Sequence, residues 1–146
     1  MNNNKVNILA LIIASISFSF ISNSYAANGF DCVLTDTVSD DGSPGDNKDT
    51  YITTTPEIFL ICDTTVVKKG DVVKGSWTAI DTHNAAPNNY LIAEKDVSIQ
   101  EDVKEGGSYT TDLSLTKPNK GWPIGTYKVD LYLNDKLVDT YNFSVK

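Results

Sequence analysis

The chain has 146 residues, 40% of them hydrophobic, and its 12 basic residues, all lysines, stand against 19 acidic ones. This length allows one domain with a sizeable core. The formal net charge of −7 and the lack of arginine argue against nucleic-acid partners and anionic membrane surfaces, because both are bound through basic patches.

Residues 1–26 predict a cleavable secretory signal peptide. Lys5 precedes an apolar run at residues 8–14, and residues 24–26 have the small-x-small pattern of a cleavage site. The apolar run is too short for a stable transmembrane helix, so a retained anchor is the less favoured alternative and no membrane span is expected after cleavage. We therefore expect a periplasmic or secreted protein. Lys5 leaves with the leader, so 11 lysines remain against 19 acidic residues, a formal net charge of −8.

Two cysteines, Cys32 and Cys62, lie in the exported part of the chain. An even number of cysteines in an oxidising compartment predicts one disulfide bond. A metal pair or a reactive thiol is the alternative. The metal pair is disfavoured because His83 is the only histidine and lies far away in sequence.

The exported part of the chain predicts short β-strands separated by turn sequences. The predicted strands before the last hairpin are residues 27–38, 51–63, 72–80, 90–100 and 108–115. Lys95 falls on the apolar face of its strand, which predicts a bulge or a snorkelling side chain near residues 94–95. The chain ends in a predicted hairpin, in which Tyr127, Val129 and Leu131 share one face and residues 134–135 form the turn.

Two polar segments, residues 40–49 and 81–89, predict exposed loops because they are rich in Gly, Pro, Asp and Asn. Deleting residues 41–48 should change stability little, since few apolar groups would be lost. The candidate interaction residues in the two loops are Asp40, Asp41, Asp46, Asp49, His83, Asn88 and Asn89.

The acidic loop also contains a weak calcium candidate, formed by Asp41, Asp46 and Asp49. Carboxylates near glycines can supply the oxygen ligands that Ca²⁺ prefers. The spacing is not that of an EF-hand loop, so a solvated loop is the favoured interpretation. We expect no metal ion and no other cofactor.

The residue pattern does not predict an enzyme. His83 has no nucleophile and carboxylate in a recognisable arrangement, and no Gly-x-Ser-x-Gly motif is present. The paired carboxylates at residues 101–102 are of a type used in glycoside hydrolysis, but a small sandwich leaves little room for a deep cleft. Trp77 and Trp122 would form a carbohydrate-stacking platform only if both were exposed, and burial of both would favour an interaction module.

About seven or eight strands without sustained helical periodicity predict an all-β sandwich or barrel. Gly125, Tyr127 and Val129 form a Gly-x-Tyr-x-apolar pattern that resembles the tyrosine corner of immunoglobulin-like and fibronectin type III-like sandwiches. Residues 55–145 as a whole resemble bacterial exported immunoglobulin-like domains. The resemblance implies a single antiparallel sandwich at residues 55–146, preceded by an N-terminal extension at 27–54 that the disulfide holds in place. It supplies no catalytic residues.

Two classes of function remain open from the sequence. The favoured one is an exported, non-catalytic binding module that contacts a protein or a cell-envelope component through its loops. The alternative is a carbohydrate-binding or hydrolytic accessory protein of the cell envelope. The sequence identifies neither the partner nor the oligomeric state.

Overall fold

The structure is a computed structural model that describes residues 28–146, so the predicted leader lies outside the described residues. The strands are β1 (Phe30–Thr35), β2 (Thr50–Tyr51), β3 (Glu57–Thr64), β4 (Val72–Asp81), β5 (Tyr90–Ser98), β6 (Tyr109–Thr116), β7 (Gly125–Leu133) and β8 (Lys136–Val145). Residues 28–146 contain no helix of the length and hydropathy needed to cross a membrane.

The strands form a three-stranded sheet in the order β1-β3-β6 and a five-stranded sheet in the order β2-β8-β7-β4-β5. Neighbouring strands are antiparallel except for β2 and β8, which are parallel. Of the seven long strands, the first, second and fifth thus share one sheet, and the third, fourth, sixth and seventh share the other, which is the immunoglobulin-like arrangement. The predicted all-β sandwich is confirmed.

The core lies between the two sheets and is built from the side chains that strand alternation places inward. Phe143 is at its centre: its ring centroid lies 6.0 Å from that of Trp77, 5.6 Å from that of Tyr51 and 5.2 Å from that of Tyr127. The completely buried apolar side chains are Ile58, Leu60, Cys62, Val73, Trp77, Leu113, Val129 and Leu131. The predicted inward face of the last hairpin is therefore confirmed.

The turn of this hairpin has the backbone geometry that brings β7 and β8 together as a pair. Asn134 and Asp135 have φ angles of 49° and 65°, as a two-residue turn of this kind requires. The Asn134 side chain also accepts a hydrogen bond from the Val72 N–H and donates one to the Asp71 carboxylate, each at 2.9 Å. The turn is thus attached to the start of β4.

The resemblance to a tyrosine corner is also confirmed by the contacts. The Tyr127 hydroxyl donates a hydrogen bond to the Pro123 carbonyl, and burial raises the pKa of Tyr127 to about 12, so the hydroxyl keeps its proton. Nearby, the Trp122 indole N–H donates to the Thr55 carbonyl at 2.7 Å. The connection between β6 and β7 is therefore held both to β7 and to the segment that precedes β3.

The predicted division between residues 54 and 55 does not correspond to a boundary in the structure. β1 pairs with β3 along its whole length, and β2 pairs with β8. Phe30, Leu34 and Tyr51 belong to the same core as the later strands. The predicted disulfide between Cys32 and Cys62 is confirmed, but it joins directly paired residues of β1 and β3 within one sheet. Pairing partners distant in sequence leave no local signal, which explains the misplaced boundary.

The predicted bulge in β5 lies a short distance from its expected position. Trp77 pairs with Ala93 and Thr78 with Leu91, so the register shift falls at Ile92. As a result, Ile92 packs against the core while Leu91 is 51% exposed. Lys95 pairs with Gly75 in unbroken register and is exposed, so there is no bulge at that position.

Candidate functional site

The acidic loop, predicted at residues 40–49, extends over residues 36–49 in the structure and connects β1 in one sheet to β2 in the other. At its tip the Ser39 N–H donates to the Ser43 carbonyl and the Gly42 N–H donates to the Ser39 carbonyl, both at 2.9 Å. Just below this turn, Val38 and Pro44 form an isolated antiparallel bridge. The tip is therefore a small closed turn that the Val38–Pro44 bridge supports from below.

The base of the acidic loop completes the open edge of β1. The Leu34 N–H donates to the Asn47 side-chain oxygen at 2.9 Å, and the Lys48 N–H donates to the Leu34 carbonyl at 2.7 Å. The Lys48 ammonium lies 2.6 Å from the Asp36 carboxylate. The expectation that residues 41–48 are dispensable for stability therefore needs correction, because that deletion would remove Asn47 and Lys48 and leave polar groups of β1 unpaired.

We expect Asn47→Ala to lower the free energy of unfolding by about 1–2 kcal/mol, because the Leu34 N–H would lose its partner at a partly buried edge. Asp46→Ala, at the neighbouring exposed position, should change it by less than about 0.5 kcal/mol. Urea denaturation of the two variants tests this. Equal effects would show that the loop base does not support β1.

The tip of the loop lies over the outer face of the three-stranded sheet and encloses a cleft of about 560 Å³ with it. The base of the cleft includes Ile61, which points away from the core yet is only 4% exposed. The remaining lining is Asp31, Val33, Asp41, Gly42, Ser43, Pro44, Asp63 and Thr110. The cleft thus combines an apolar base with three carboxylates.

Two of these carboxylates are directly opposite each other. The β1–β3 register that pairs Cys32 with Cys62 also pairs Asp31 with Asp63. Like charges at directly paired positions destabilise a sheet. The hydroxyl of Thr110 donates to Asp63, but no lysine is among the residues that line the cleft. The pair is therefore a position where a cation from outside the chain would relieve repulsion.

Asp41 adds the third carboxylate from the loop. Its side-chain oxygen accepts the Ser43 N–H at 3.0 Å, and this hydrogen bond lowers the pKa of Asp41. Asp41 consequently stays ionised at neutral pH. Asp41 therefore lines the same cleft as the Asp31–Asp63 pair, opposite the sheet.

The structure places the other predicted loop residues outside this cleft. Asp40, Asp46 and Asp49 do not line it, and Asp49 instead accepts the Thr50 hydroxyl at 3.1 Å beside β2. In the part of the chain that the structure describes, no three His, Cys, Asp or Glu side chains are grouped to hold a metal ion. The calcium candidates Asp41, Asp46 and Asp49 are therefore not brought together.

The second predicted loop, residues 81–89, joins β4 to β5 and takes no part in the cleft. His83 and Asn84 both adopt positive φ angles, 51° and 72°, and the His83 N–H donates to the Asp81 carboxylate at 2.9 Å. His83, Asn88 and Asn89 are exposed but contribute to no common site with Asp41. The two loops are thus separate surfaces.

Both tryptophans of the alternative function are buried, and one carboxylate of its acidic pair is engaged in a turn. Trp77 and Trp122 are 0% and 2% exposed, so they cannot stack on a sugar from outside the protein. The carboxylate of Asp102 accepts the Lys69 N–H at 2.9 Å and thereby ties two turns together. Burial of both tryptophans favours an interaction module over a carbohydrate-stacking platform.

The cleft residues that lie in strands were not predicted, although the sequence contains a signal for two of them. Strand alternation places Asp31 and Asp63 on the face opposite Cys32 and Cys62. A disulfide between adjacent strands pairs the residues next to it as well, once the strands are taken as antiparallel. Thr110 depends on the pairing of β3 with β6, for which the sequence holds no comparable marker.

No protein-family model matches the chain, and no curated protein matches it either. Among solved structures it is similar to an immunoglobulin-like protein of Pseudomonas aeruginosa, with a TM-score of 0.47 and 10% identity over 80% of this chain and 91% of the other. It is also similar to part of a β-glucosidase of Kluyveromyces marxianus, with a TM-score of 0.42 and 18% identity over 80% of this chain and 14% of the enzyme. A β-glucuronidase of Bifidobacterium dentium gives a TM-score of 0.35 and 13% identity over 78% of this chain and 17% of the enzyme. These TM-scores are low, and the immunoglobulin-like assignment rests on the strand order.

Proposed function

We propose that this protein is an exported, non-catalytic recognition module, and that the cleft between the acidic loop and the three-stranded sheet contacts a cationic side chain of a protein partner in the cell envelope. The observation that carries the proposal is the direct pairing of Asp31 with Asp63 beneath Asp41. Like charges at directly paired positions oppose sheet formation, so the pair does not itself stabilise the pairing of β1 with β3.

The chemistry of the cleft suits a lysine or an arginine. Both residues have an apolar stem that can lie on Ile61 and Val33 while the charged end meets the carboxylates. Hydrogen bonds between oppositely charged groups are shorter and stronger than neutral ones, and arginine can engage a carboxylate through two of them. The net negative charge of the chain would also favour the approach of a basic partner.

The hydrogen bonds that hold the acidic loop in place favour recognition through the cleft. The loop is held by backbone hydrogen bonds at its tip and at its base, so binding would order few new groups. Export is supported by the leader pattern and by the disulfide, which is stable in oxidising compartments. Absence of catalysis is an inference from His83, which lies on a separate exposed loop.

The test replaces the paired carboxylates by their neutral isosteres, Asp31→Asn with Asp63→Asn. An immobilised protein would be incubated with envelope extract of its own organism, and retained proteins would be quantified by mass spectrometry. We expect the native protein to retain a partner that elutes with rising salt. The double variant should retain at least about tenfold less of this partner.

Asp46→Asn with Asp96→Asn is the matched control, since it removes the same charge at exposed positions outside the cleft. The control should retain the partner. The melting temperature of the Asp31→Asn, Asp63→Asn variant should not fall, because the substitution relieves repulsion. Retention of the same partner by the cleft variant would refute the proposed contact.

A further inference from the structure

The outer edge of β6 has a row of backbone groups without a backbone partner. β6 is an edge strand of the three-stranded sheet, and all of its residues pair with β3 in unbroken register. The Lys117 N–H donates to the Pro56 carbonyl at 2.8 Å, so the odd-numbered residues of β6 are hydrogen-bonded to β3 and the even-numbered ones face away. The N–H and C=O groups of Thr110, Asp112 and Ser114 therefore point outward, and among residues 28–146 they have no backbone partner.

The other sheet edges in the described part of the chain are partly occupied or irregular. At β1, the base of the acidic loop bonds the N–H and C=O groups of Leu34. β8 contains a register shift and pairs with β2 near its end. β5 contains the shift at Ile92 and also Lys95, which shares the face that Gly75 turns towards the other sheet. Bulges and inward-pointing charges hinder the addition of a further strand, so β6 is the edge best suited to pairing.

The open edge of β6 adjoins the acidic cleft. Thr110 lines the cleft and pairs with Asp63, which in turn pairs with Asp31. On a strand added beside β6, the residue next to Thr110 would share its face and lie two strand spacings, about 10 Å, from the Asp63 backbone. A lysine or arginine at that position has a long apolar stem that can bring its charge to the Asp63 carboxylate. The edge and the cleft thus form one continuous surface.

The charges on the outer face of the three-stranded sheet favour a cationic segment beside it. Strand alternation places no lysine on this face of β1, β3 and β6 but does place carboxylates there, those of Asp31, Glu57, Asp63 and Asp112. Burial and the charge of Glu57 raise the pKa of Asp112, and Lys95 of β5 partly opposes this rise. Lys95 therefore offsets charge near Asp112, whereas no lysine lines the cleft at Asp31 and Asp63.

The two lysines that flank β6 in sequence leave this end of the edge acidic. Lys117 follows β6 at the end of the strand far from Thr110. Lys104 lies in the connection before β6, but residues 101–105 also contain three acidic residues. A basic segment that approached Thr110 would therefore meet net negative charge both in the cleft and in the connection before the strand.

We propose that the partner binds as an extended segment that adds to β6 as a fourth strand, with a lysine or arginine beside Thr110 whose charge meets Asp63. The inference rests on the proposed function, because the same cleft receives the cation, and it assigns the conformation of the partner segment. In strand addition, backbone hydrogen bonds supply affinity and the side chains that enter pockets supply specificity. A second copy of this chain is disfavoured as the occupant, since pairing two β6 edges would join two acidic faces.

The probe is a short acetylated peptide in which valines alternate with threonines and one threonine position carries a lysine. The valines would share the face of the buried Leu113, and the lysine would lie beside Thr110. In an NMR titration of the ¹⁵N-labelled exported protein, we expect the amide signals of Thr110, Asp112 and Ser114 to shift and their hydrogen exchange to slow. Glutamate in place of the lysine should weaken binding at least about tenfold.

N-methylation of the peptide tests backbone pairing without any change to the protein. Alternate amides of a strand point to opposite edges, so methylating one set should weaken binding at least about tenfold, and methylating the other set should leave it unchanged. Equal effects of the two sets, or shifts confined to residues outside β6 and the cleft, would overturn the strand addition. Shifts of the β6 signals with protein concentration alone would assign the edge to a second copy of the chain and also overturn it.

Two proline variants test the edge from the side of the protein. Ser114→Pro removes an outward N–H of β6 that takes no part in the pairing with β3, and it should weaken peptide binding at least about tenfold. Asp96→Pro makes the matched change on β5, where the Ile99 N–H donates to the Asp71 carbonyl and the even-numbered residue Asp96 faces away from β4. This control should bind the peptide as the native protein does. The methylated peptides decide the question if Ser114→Pro does not fold.

The strand addition and the proposed function fail separately in the envelope extract. If Ser114→Pro retains the partner and the Asp31→Asn, Asp63→Asn variant loses it, the cleft contact stands and the strand addition is overturned. If both lose the partner and Asp96→Pro retains it, both are supported. Retention by the Asp31→Asn, Asp63→Asn variant would refute the cationic contact and, with it, the lysine or arginine assigned beside Thr110.

Discussion

Tyr127→Ala should lower the free energy of unfolding by about 3–5 kcal/mol, the range typical of removing a large aromatic side chain from a core. The ring of Tyr127 is 1% exposed, is stacked 5.2 Å from Phe143 and meets Trp122 edge-on at 6.1 Å. Its hydroxyl also donates to the Pro123 carbonyl. Urea denaturation followed by tryptophan fluorescence measures the loss.

Two variants separate the contributions of this side chain. Tyr127→Phe keeps the ring and should cost about 1 kcal/mol for the lost hydrogen bond. Thr126→Ala, at the adjacent exposed position, should cost less than about 0.5 kcal/mol. Lys128, the other neighbour of Tyr127 in the chain, is unsuitable as a control for this comparison, because its ammonium lies 2.7 Å from the nearly buried Asp130 carboxylate. Equal effects of Tyr127→Ala and Thr126→Ala would mean that the strand register is displaced by one residue.

Replacing both cysteines, Cys32→Ala with Cys62→Ala, should destabilise the protein by about 3–4 kcal/mol. The bond joins residues 30 positions apart, and its loss restores chain entropy to the unfolded state. Thermal or urea unfolding of the double variant against the native protein measures the effect. Native protein purified from its own organism should show no thiol that alkylates without reductant, and two alkylated thiols would contradict the bond.

The local sequence predicts the last hairpin well because each of its signals is short-range. Tyr127, Val129 and Leu131 alternate with polar residues, and Asn134 and Asp135 are types that tolerate the positive φ of a tight turn. The sequence does not predict that residues 28–54 belong to the sandwich. That fact depends on pairing of β1 with β3 and of β2 with β8, which join residues distant in sequence.

The candidate site was predictable only in part for the same reason. Asp41 lies in a segment whose composition predicts a loop. Asp31 and Asp63, in contrast, lie within strands whose residue pattern shows only the usual alternation of apolar residues. Their meeting follows from the register at the disulfide, and Asp41 joins them because the loop folds back onto the outer face of the sheet. No local sequence pattern predicts that the loop folds back onto the sheet, because this depends on hydrogen bonds between the loop base and the edge of β1.

Photo-crosslinking in the living source organism tests recognition through the acidic cleft most directly. A photoreactive amino acid would be placed at Ser43, which lines the cleft, and separately at Asp96, which is exposed on β5 and does not line it. Crosslinked products would be separated and identified by mass spectrometry. Recognition through the cleft predicts a discrete product with one envelope protein from position 43 and none from position 96. No product from position 43, or the same product from both positions, would contradict it.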